Sequence, residues 1–193
     1  MKKLSDAIDR FCYLHPRFGI PDLMKYIVFG NAVVYLLAQF NLSGWNAVSF
    51  LAFSWDGIRA GELWRLVTFV FVPSTSRLFF LFMELYFAYL VGSTLERAWG
   101  TAKFTFYYLL GLALTAVGAI LVSLITGSSV ELYGADYLNL SLFFAFAMLY
   151  PDLQLLLFFL IPIKAKWLAL ADAVWFVAGI VWSLSIGYVA GWL

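Results

Sequence analysis

Five apolar stretches, separated by polar or turn-forming residues, constrain the fold of this chain more than any other feature. They lie at residues 26–42, 77–96, 104–126, 137–150 and 167–190. A helix needs about 20 predominantly apolar residues to cross the hydrocarbon core of a bilayer, and most of these stretches approach or exceed that length. Because 64% of the chain is hydrophobic, a soluble core could not bury all of its apolar surface. The sequence therefore predicts an all-α integral membrane protein with about five transmembrane helices.

The segments outside these stretches predict where the chain meets the membrane surface. Residues 1–25 repeat apolar residues at helical spacing with charged residues opposite, which predicts an amphipathic cytoplasmic segment ahead of a transmembrane domain at 26–193. Residues 43–65 are too polar to span but rich in aromatic residues, which favours an interfacial position. Leu153–Ile163 is apolar but too short to span, so we expect it to be re-entrant or interfacial.

The distribution of basic residues predicts the orientation of the helices. Cytoplasmic loops of membrane proteins carry an excess of Lys and Arg. With the N-terminus in the cytoplasm, nine basic residues lie inside and three outside. The inner group is Lys2, Lys3, Arg10, Arg17, Lys25, Arg97, Lys103, Lys164 and Lys166, and the outer group is Arg59, Arg65 and Arg77. We therefore expect a cytoplasmic N-terminus, with residues 43–65 and 127–136 on the external side.

The chain is poor in residues that bind metals or act as catalytic bases. His15 is the only histidine and Cys12 the only cysteine, and both precede the first apolar stretch. A single thiol excludes an internal disulfide and a cysteine-rich metal site. The sequence has no glycine-rich phosphate loop and no basic nucleic-acid patch. We therefore expect no cofactor, no metal and no nucleic-acid partner, and the lipid bilayer is the predicted surrounding.

Polar residues inside the apolar stretches are the remaining functional clues. Glu84 and Asp172 each place a carboxyl group within a predicted span, at a cost of ~2.5–3.5 kcal/mol on insertion scales, so each is expected to face protein. Asn139 and Ser141, near the outer end of the fourth stretch, could line the same space. Three interpretations stay open: carboxyl groups that stabilise helix packing through hydrogen bonds, a polar cavity for the transmembrane segment of a client, or a small transporter.

Three motifs resemble rhomboid intramembrane proteases. They are Gly61–Thr68 (GELWRLVT), Tyr89–Gly100 (YLVGSTLERAWG) and Phe158–Leu168 (FFLIPIKAKWL). Their order and spacing are similar to the end of the family's first loop, the end of its second helix and the entry to its fifth. The resemblance implies a rhomboid-like helical bundle with a half-submerged first loop. It assigns structural roles to Trp64, Arg65, Gly92, Glu96 and Arg97.

The catalytic residues of that family do not carry over to this sequence. Rhomboids place their nucleophile in Gly-x-Ser-Gly at the start of a short fourth helix, but residues 134–137 read GADY here, with Asp136 at the serine position. The His and Asn that bind the oxyanion in the family correspond to Phe80 and Glu84. A phenyl ring cannot donate a hydrogen bond, and an ionised carboxylate repels an oxyanion. The family's base belongs to a sixth helix, and this chain ends where that helix would begin.

Two functions from different classes follow from these motifs. We expect a catalytically inactive rhomboid-like protein that binds transmembrane segments of client proteins. The residues expected to line its polar cavity or contact a client are Glu84, Asp136, Tyr137, Asn139, Ser141 and Asp172. The alternative is an active intramembrane serine protease with Ser141 as a displaced nucleophile, which would still need a base within hydrogen-bond reach. The resemblance to bacterial rhomboids implies a bacterial plasma membrane.

Overall fold

The computed structural model describes residues 19–40, 47–127, 129–157 and 161–190. Most of the predicted amphipathic segment at residues 1–25 lies outside these ranges. The helices are α1 (Leu23–Phe40), α2 (Ala47–Leu51), α3 (Trp55–Arg59), α4 (Arg65–Thr68), α5 (Leu78–Trp99), α6 (Thr101–Thr126), α7 (Asp136–Leu149) and α8 (Ala165–Ala190). The strands are β1 (Phe53–Ser54), β2 (Glu131–Leu132), β3 (Gln154–Leu157) and β4 (Ile161–Lys164), and a 3₁₀ turn occupies Phe69–Phe71.

Each predicted apolar stretch corresponds to one of the longer helices, and turn residues explain where those helices end. Gly100, with a φ of +86°, separates α5 from α6. Gly127 ends α6 in the left-handed conformation, where its N–H donates to the carbonyl oxygen of Ser123 at 3.0 Å. Glycine adopts this conformation at no steric cost, so it commonly ends helices.

The prediction of about five spanning helices is confirmed only in its coarser form, as a mostly helical membrane protein. Among the described residues, α5 and α6 are long and apolar enough to cross a membrane. The helices α1 and α7 are apolar but shorter. A helix rises about 1.5 Å per residue, so the 14 residues of α7 extend for only about 21 Å. That length is less than the ~30 Å hydrocarbon core of a typical bilayer.

The chain forms two compact units, Met1–Leu142 and Phe143–Leu193, and the boundary lies within α7. In the first unit, α1 packs closely against α5. A Cβ atom at Gly92 would overlap the side chain of Met24, so the glycine allows this approach. On the same helix, Asn31 donates from Nδ2 to the carbonyl oxygens of Ile27 and Val70. These contacts connect α1 both to α5 and to the 3₁₀ turn.

Non-local contacts bring together loops that the sequence assigns to the same side of the membrane. The strand β1 pairs with β2 in an antiparallel register, with Phe53 opposite Leu132. This pairing joins the two segments predicted to be external. At the other end of α5, Glu96 accepts a hydrogen bond from the backbone N–H of Asp22 at 2.9 Å. These contacts agree with the prediction of which loops share a side of the membrane. The cytoplasmic location of the N-terminus stays a prediction.

In the second unit, the apolar segment before α8 forms a β-hairpin. The strands β3 and β4 pair antiparallel, with Leu155 opposite Ile163. A two-stranded hairpin has two open edges, and unpaired backbone groups are not tolerated in the hydrocarbon core. An interfacial position therefore suits this segment better than a re-entrant one. Beside the hairpin, Asp152 accepts hydrogen bonds from Lys166 at 2.9 Å and Lys164 at 3.2 Å, and these ammonium groups lower the pKa of its carboxyl group.

Candidate functional site

A single serine hydroxyl brings two of the predicted polar residues together. Ser74 lies in the loop before α5, and its Oγ is 2.6 Å from Oε1 of Glu84 and 2.8 Å from Oδ1 of Asp136. We call these three residues the Ser74 bridge. It connects the loop, the second turn of α5 and the first turn of α7. Glu84 and Asp136 are far apart in sequence, and the sequence predicted both as residues of a polar site. In the structure, Ser74 contacts both carboxyl groups.

The glycine before α7 allows this arrangement. Gly134 has a φ of +79°, and a Cβ atom there would lie 3.0 Å from the carbonyl oxygen of Val72 and 3.3 Å from Oγ of Ser74. Only glycine combines this backbone conformation with such a close approach at low cost. Asp136 then begins the helix, where a carboxylate interacts favourably with the positive end of the helix dipole.

In the Ser74 bridge, one hydroxyl donor faces two carboxyl groups. A serine hydroxyl has one proton to donate and lone pairs that accept, whereas an ionised carboxylate only accepts. Ser74 therefore donates its proton to Glu84 or to Asp136, or shares it between them. Neither carboxyl group forms an ion pair with a Lys or Arg of the described ranges. The bridge thus has one side-chain donor for two acids near the start of α5.

A small cavity lies next to the Ser74 bridge, between α1, α5 and α7. Its volume is about 10 Å³, and its polar lining comes from Glu84, Asn31 and Asn139. The remaining lining residues are apolar. Glu84 and Asn139, both predicted site residues, thus line one cavity, and the volume of this cavity is far too small for a helix.

The other predicted residues lie elsewhere. Ser141 is one helical turn and a half beyond Asp136 on α7, and its hydroxyl pairs with that of Tyr107 on α6. Tyr137, also on α7, is exposed. Asp172 lies on α8 in the second unit, where its side chain is exposed. Ser141 and Tyr137 are not among the residues that line the cavity beside Glu84.

The residues expected to have structural roles make specific contacts. Arg65 pairs with Glu62 through Nε, and its Nη1 donates to the carbonyl oxygens of Ser49 at 2.6 Å and Ala52 at 2.7 Å. We call this group the Arg65 clamp. Trp64 donates from Nε1 to the carbonyl oxygen of Phe50 and lies against its ring, with centroids 5.4 Å apart. These contacts hold residues 49–65 together as a compact segment.

A protein-family model described as "Eukaryotic integral membrane protein (DUF1751)" matches residues 45–193. This match covers both long apolar helices, the Ser74 bridge and the Arg65 clamp. The chain belongs to this family. Membership agrees with the predicted integral membrane protein and with the lipid bilayer as its surrounding. No curated protein and no solved structure gives a significant match to the chain. The narrower resemblance to rhomboids stays a prediction.

The family corrects the expected location. Its description is eukaryotic, which does not fit the bacterial plasma membrane that the resemblance to bacterial rhomboids implied. The physical evidence in the sequence, apolar helices flanked by basic residues, is common to the membranes of all cells. Hydropathy and charge therefore predicted a membrane protein but carried no information about which membrane.

Sequence reasoning missed two residues of this site. Ser74 lies in Pro73-Ser74-Thr75-Ser76, a stretch typical of turns between helices. In the sequence, this stretch indicated only where the second apolar stretch begins. Asn31 is a polar residue in the first apolar stretch, and that polarity was a usable signal because amides in lipid require partners. No group of three His, Cys, Asp or Glu residues that could hold a metal ion occurs within the part of the chain that the structure describes.

Proposed function

We propose that this protein is a rhomboid-like membrane protein without protease activity, which binds transmembrane segments of client proteins along the outside of its bundle. The observation that carries the proposal is the state of the two candidate nucleophile positions. Asp136 stands where the rhomboid pattern has serine, and it is hydrogen-bonded to Ser74. Ser141, the displaced candidate, has a tyrosine hydroxyl as its partner.

The chemistry of these partners supports inactivity. A serine hydroxyl becomes a useful nucleophile when a base accepts its proton. The partner of Ser141 is the hydroxyl of Tyr107, and a neutral phenol is a weak acceptor with no capacity to hold a second proton at neutral pH. The only histidine, His15, belongs to the N-terminal segment before the first apolar stretch. The most direct route to serine protease chemistry is therefore missing.

The exposed surface of α5 supports client binding. Only 22% of the apolar window of this helix is buried within the chain. Its first turns present Leu78, Phe82 and Tyr86 at the spacing of one helix face, and all three are exposed. The rings of Phe82 and Tyr86 are stacked, with centroids 6.4 Å apart. Such a rigid aromatic face offers van der Waals contact to a neighbouring helix, which in lipid is a main source of helix association.

The client-binding part of the proposal is tested by photo-crosslinking in reconstituted bilayers. A photoreactive residue at Phe82 or Tyr86 should give a saturable adduct with a purified single-span membrane protein, and excess unlabelled transmembrane peptide should compete it away. A probe at Leu81, which is buried on the same helix, is the matched control. A probe at Ile125, which is 83% exposed on α6, measures random lipid-side collisions. Equal adducts at Phe82 and Ile125 would exclude a specific binding face on α5.

The absence of protease activity is tested separately. We expect no cleavage of a rhomboid model substrate and no labelling by a serine-directed phosphonate in detergent. Cleavage by the wild-type protein that disappears in Ser141→Ala, but persists in Ser74→Ala, would replace this proposal with the protease alternative. The two serines make a matched pair because each is hydrogen-bonded to a side chain of the first unit.

A further inference from the structure

The cavity beside the Ser74 bridge is lined in part by Asn31, a buried residue whose side-chain oxygen has no hydrogen-bond partner among the described residues. Asn31 is only 5% exposed. One end of its side-chain amide faces two carbonyl oxygens, those of Ile27 at 2.9 Å and Val70 at 3.0 Å. Carbonyl oxygens only accept hydrogen bonds, so the amide nitrogen must be the end that faces them. Both of its protons are thereby used, and Oδ1 remains as an acceptor on a residue that lines the cavity.

Two further polar groups line the same cavity. The side-chain amide of Asn139 makes no hydrogen bond to any of the described residues, although it contributes both a donor and an acceptor. Glu84 uses Oε1 for Ser74, which leaves Oε2 for another contact. The cavity therefore collects an acceptor from α1, an amide from α7 and a carboxyl oxygen from α5. Polar groups in a protein interior are normally satisfied, and those that no side chain reaches are commonly bridged by ordered water.

We propose that this cavity is a binding site for one ordered water molecule. The water donates hydrogen bonds to Oδ1 of Asn31 and to the Glu84 carboxyl group, and it accepts one from the amide of Asn139. A buried water typically makes about three hydrogen bonds and needs roughly 10–15 Å³. The cavity provides three polar partners and about 10 Å³, which is room for one water and no more. This inference does not depend on the proposed function.

The shape and lining of the cavity favour water over a metal cation. Hard divalent cations take six or more oxygen ligands. Three side chains that include two amides do not supply such a shell, and the rest of the lining is apolar. A lipid headgroup or a client side chain exceeds the volume. Water is therefore the ligand whose size and hydrogen-bonding capacity match the site.

The water completes a continuous hydrogen-bonded chain through the first unit. The chain runs from the exposed Asp136 through Ser74 and Glu84 to the water, and from there to the buried Asn31. It joins α7, the loop before α5, α5 itself and α1. Because lipid offers no competing hydrogen bonds, this chain of hydrogen bonds holds these elements in one arrangement.

Water-edited solid-state NMR of the full-length protein in lipid bilayers tests this site directly. With ¹⁵N-labelled asparagine, the side-chain amide of Asn31 should receive magnetisation from water rapidly despite its burial. Asn139→Leu has a similar side-chain size, fills the site and removes one partner, so the transfer to Asn31 should fall at least several-fold. Asn139→Ser keeps a side chain that can both donate and accept at the same position and is the matched control, for which the transfer should persist.

Thermal unfolding in detergent supplies the second readout. Asn139→Leu leaves Asn31 and Glu84 without a bridging partner, so its Tm should fall by roughly 3–8 °C, whereas Asn139→Ser should stay closer to wild type. Slow water transfer to Asn31 in the wild-type protein would overturn the proposal, even if Asn139→Leu fails to fold. A wild-type Tm that rises with Na⁺, Ca²⁺ or Mg²⁺ at constant ionic strength would also overturn it, in favour of a cation.

Discussion

The Arg65 clamp and the Ser74 bridge both connect segments of the first unit, but they differ in how many hydrogen-bond donors serve their acceptors. Each ties a loop of the first unit to neighbouring segments through side-chain hydrogen bonds. In the Arg65 clamp, a permanently charged fork donates to one carboxylate and two carbonyl oxygens, so each acceptor receives its own proton. In the Ser74 bridge, one hydroxyl proton is available for two carboxyl groups. The clamp therefore supplies a separate donor to each acceptor, whereas in the bridge one hydroxyl serves two carboxyl groups.

The difference between the clamp and the bridge indicates how each group should respond to substitution. A polar cluster whose donors and acceptors match is complete, and its contribution is to stability. A cluster in which one donor serves two acceptors is expected to be sensitive to substitution of that donor or of either acceptor. The following predictions test this contrast, from the largest expected effect to the smallest.

Arg65→Leu should cause the largest loss. Three acceptors lose their donor at once, and the Arg65 side chain is only 11% exposed. Hydrogen bonds to charged groups contribute about 1.5–3 kcal/mol each, so we expect a loss of about 3–5 kcal/mol in the free energy of unfolding. Arg65→Lys is the control, because it keeps the charge but not the fork and should recover only part of the loss. Unfolding in mixed detergent micelles measures both, and full recovery by lysine would show that charge alone maintains the clamp.

Ser74→Ala should cost less, about 1–3 kcal/mol, because it leaves two carboxyl groups without their common donor. Thr75→Ala is the matched control in the same loop, since the Thr75 hydroxyl accepts a longer hydrogen bond, 3.3 Å, from the backbone N–H of Arg77. Equal unfolding free energies for the two variants would show that the Ser74 bridge contributes nothing to stability.

Glu84→Gln should be tolerated, with a change of no more than about 1 kcal/mol. The glutamine amide donates to Ser74 Oγ, which frees the hydroxyl proton for Asp136 and removes the shortage of donors. Glu84→Leu has no such donor and should be clearly less stable. If Gln and Leu lower the Tm equally, the argument from donor counting is wrong.

Tyr108→Phe should be neutral or stabilising by up to about 1 kcal/mol. Tyr108 is 2% exposed, and its hydroxyl is buried without a hydrogen-bond partner. Removing an unsatisfied buried hydroxyl relieves a desolvation cost, whereas removing a satisfied one would lose a bond. A marked fall in Tm for this variant would reveal a polar partner for Tyr108, such as an ordered water.

The smallest effect should come from Asp152 at low pH. Lys166 and Lys164 hold the pKa of its carboxyl group below the usual value. The contribution to stability is therefore present above the pKa of the unfolded chain, about 3.9, and is lost as the pH falls through the lower folded value. Because the group is fully exposed, the difference between wild type and Asp152→Asn should be small and should vanish in acid and at high salt. A difference that grows as the pH falls would contradict this assignment.

The helices could be predicted from the sequence because their signals are local. Two apolar runs of sufficient length determine α5 and α6. Pro73 precedes the first run, and Gly100 and Gly127 follow the ends of the two helices. Structural roles for Gly92, which has no Cβ atom, and for the motif around Arg65 were also predicted from the sequence. Membership in an integral membrane protein family agrees with this local evidence.

Only the tertiary structure decided which polar groups meet. Ser74 and Asp136 are 62 residues apart, and Asn31 and Val70 are 39 apart. Spacing along a chain carries no information about such pairs, because they depend on how helices pack rather than on which residues form them. The same reason explains why Ser141 pairs with Tyr107 instead of joining Glu84. The sequence by itself determined a set of apolar helices in a membrane protein, because that signal is local, and packing in the first unit brought Ser74 to Glu84 and Asp136.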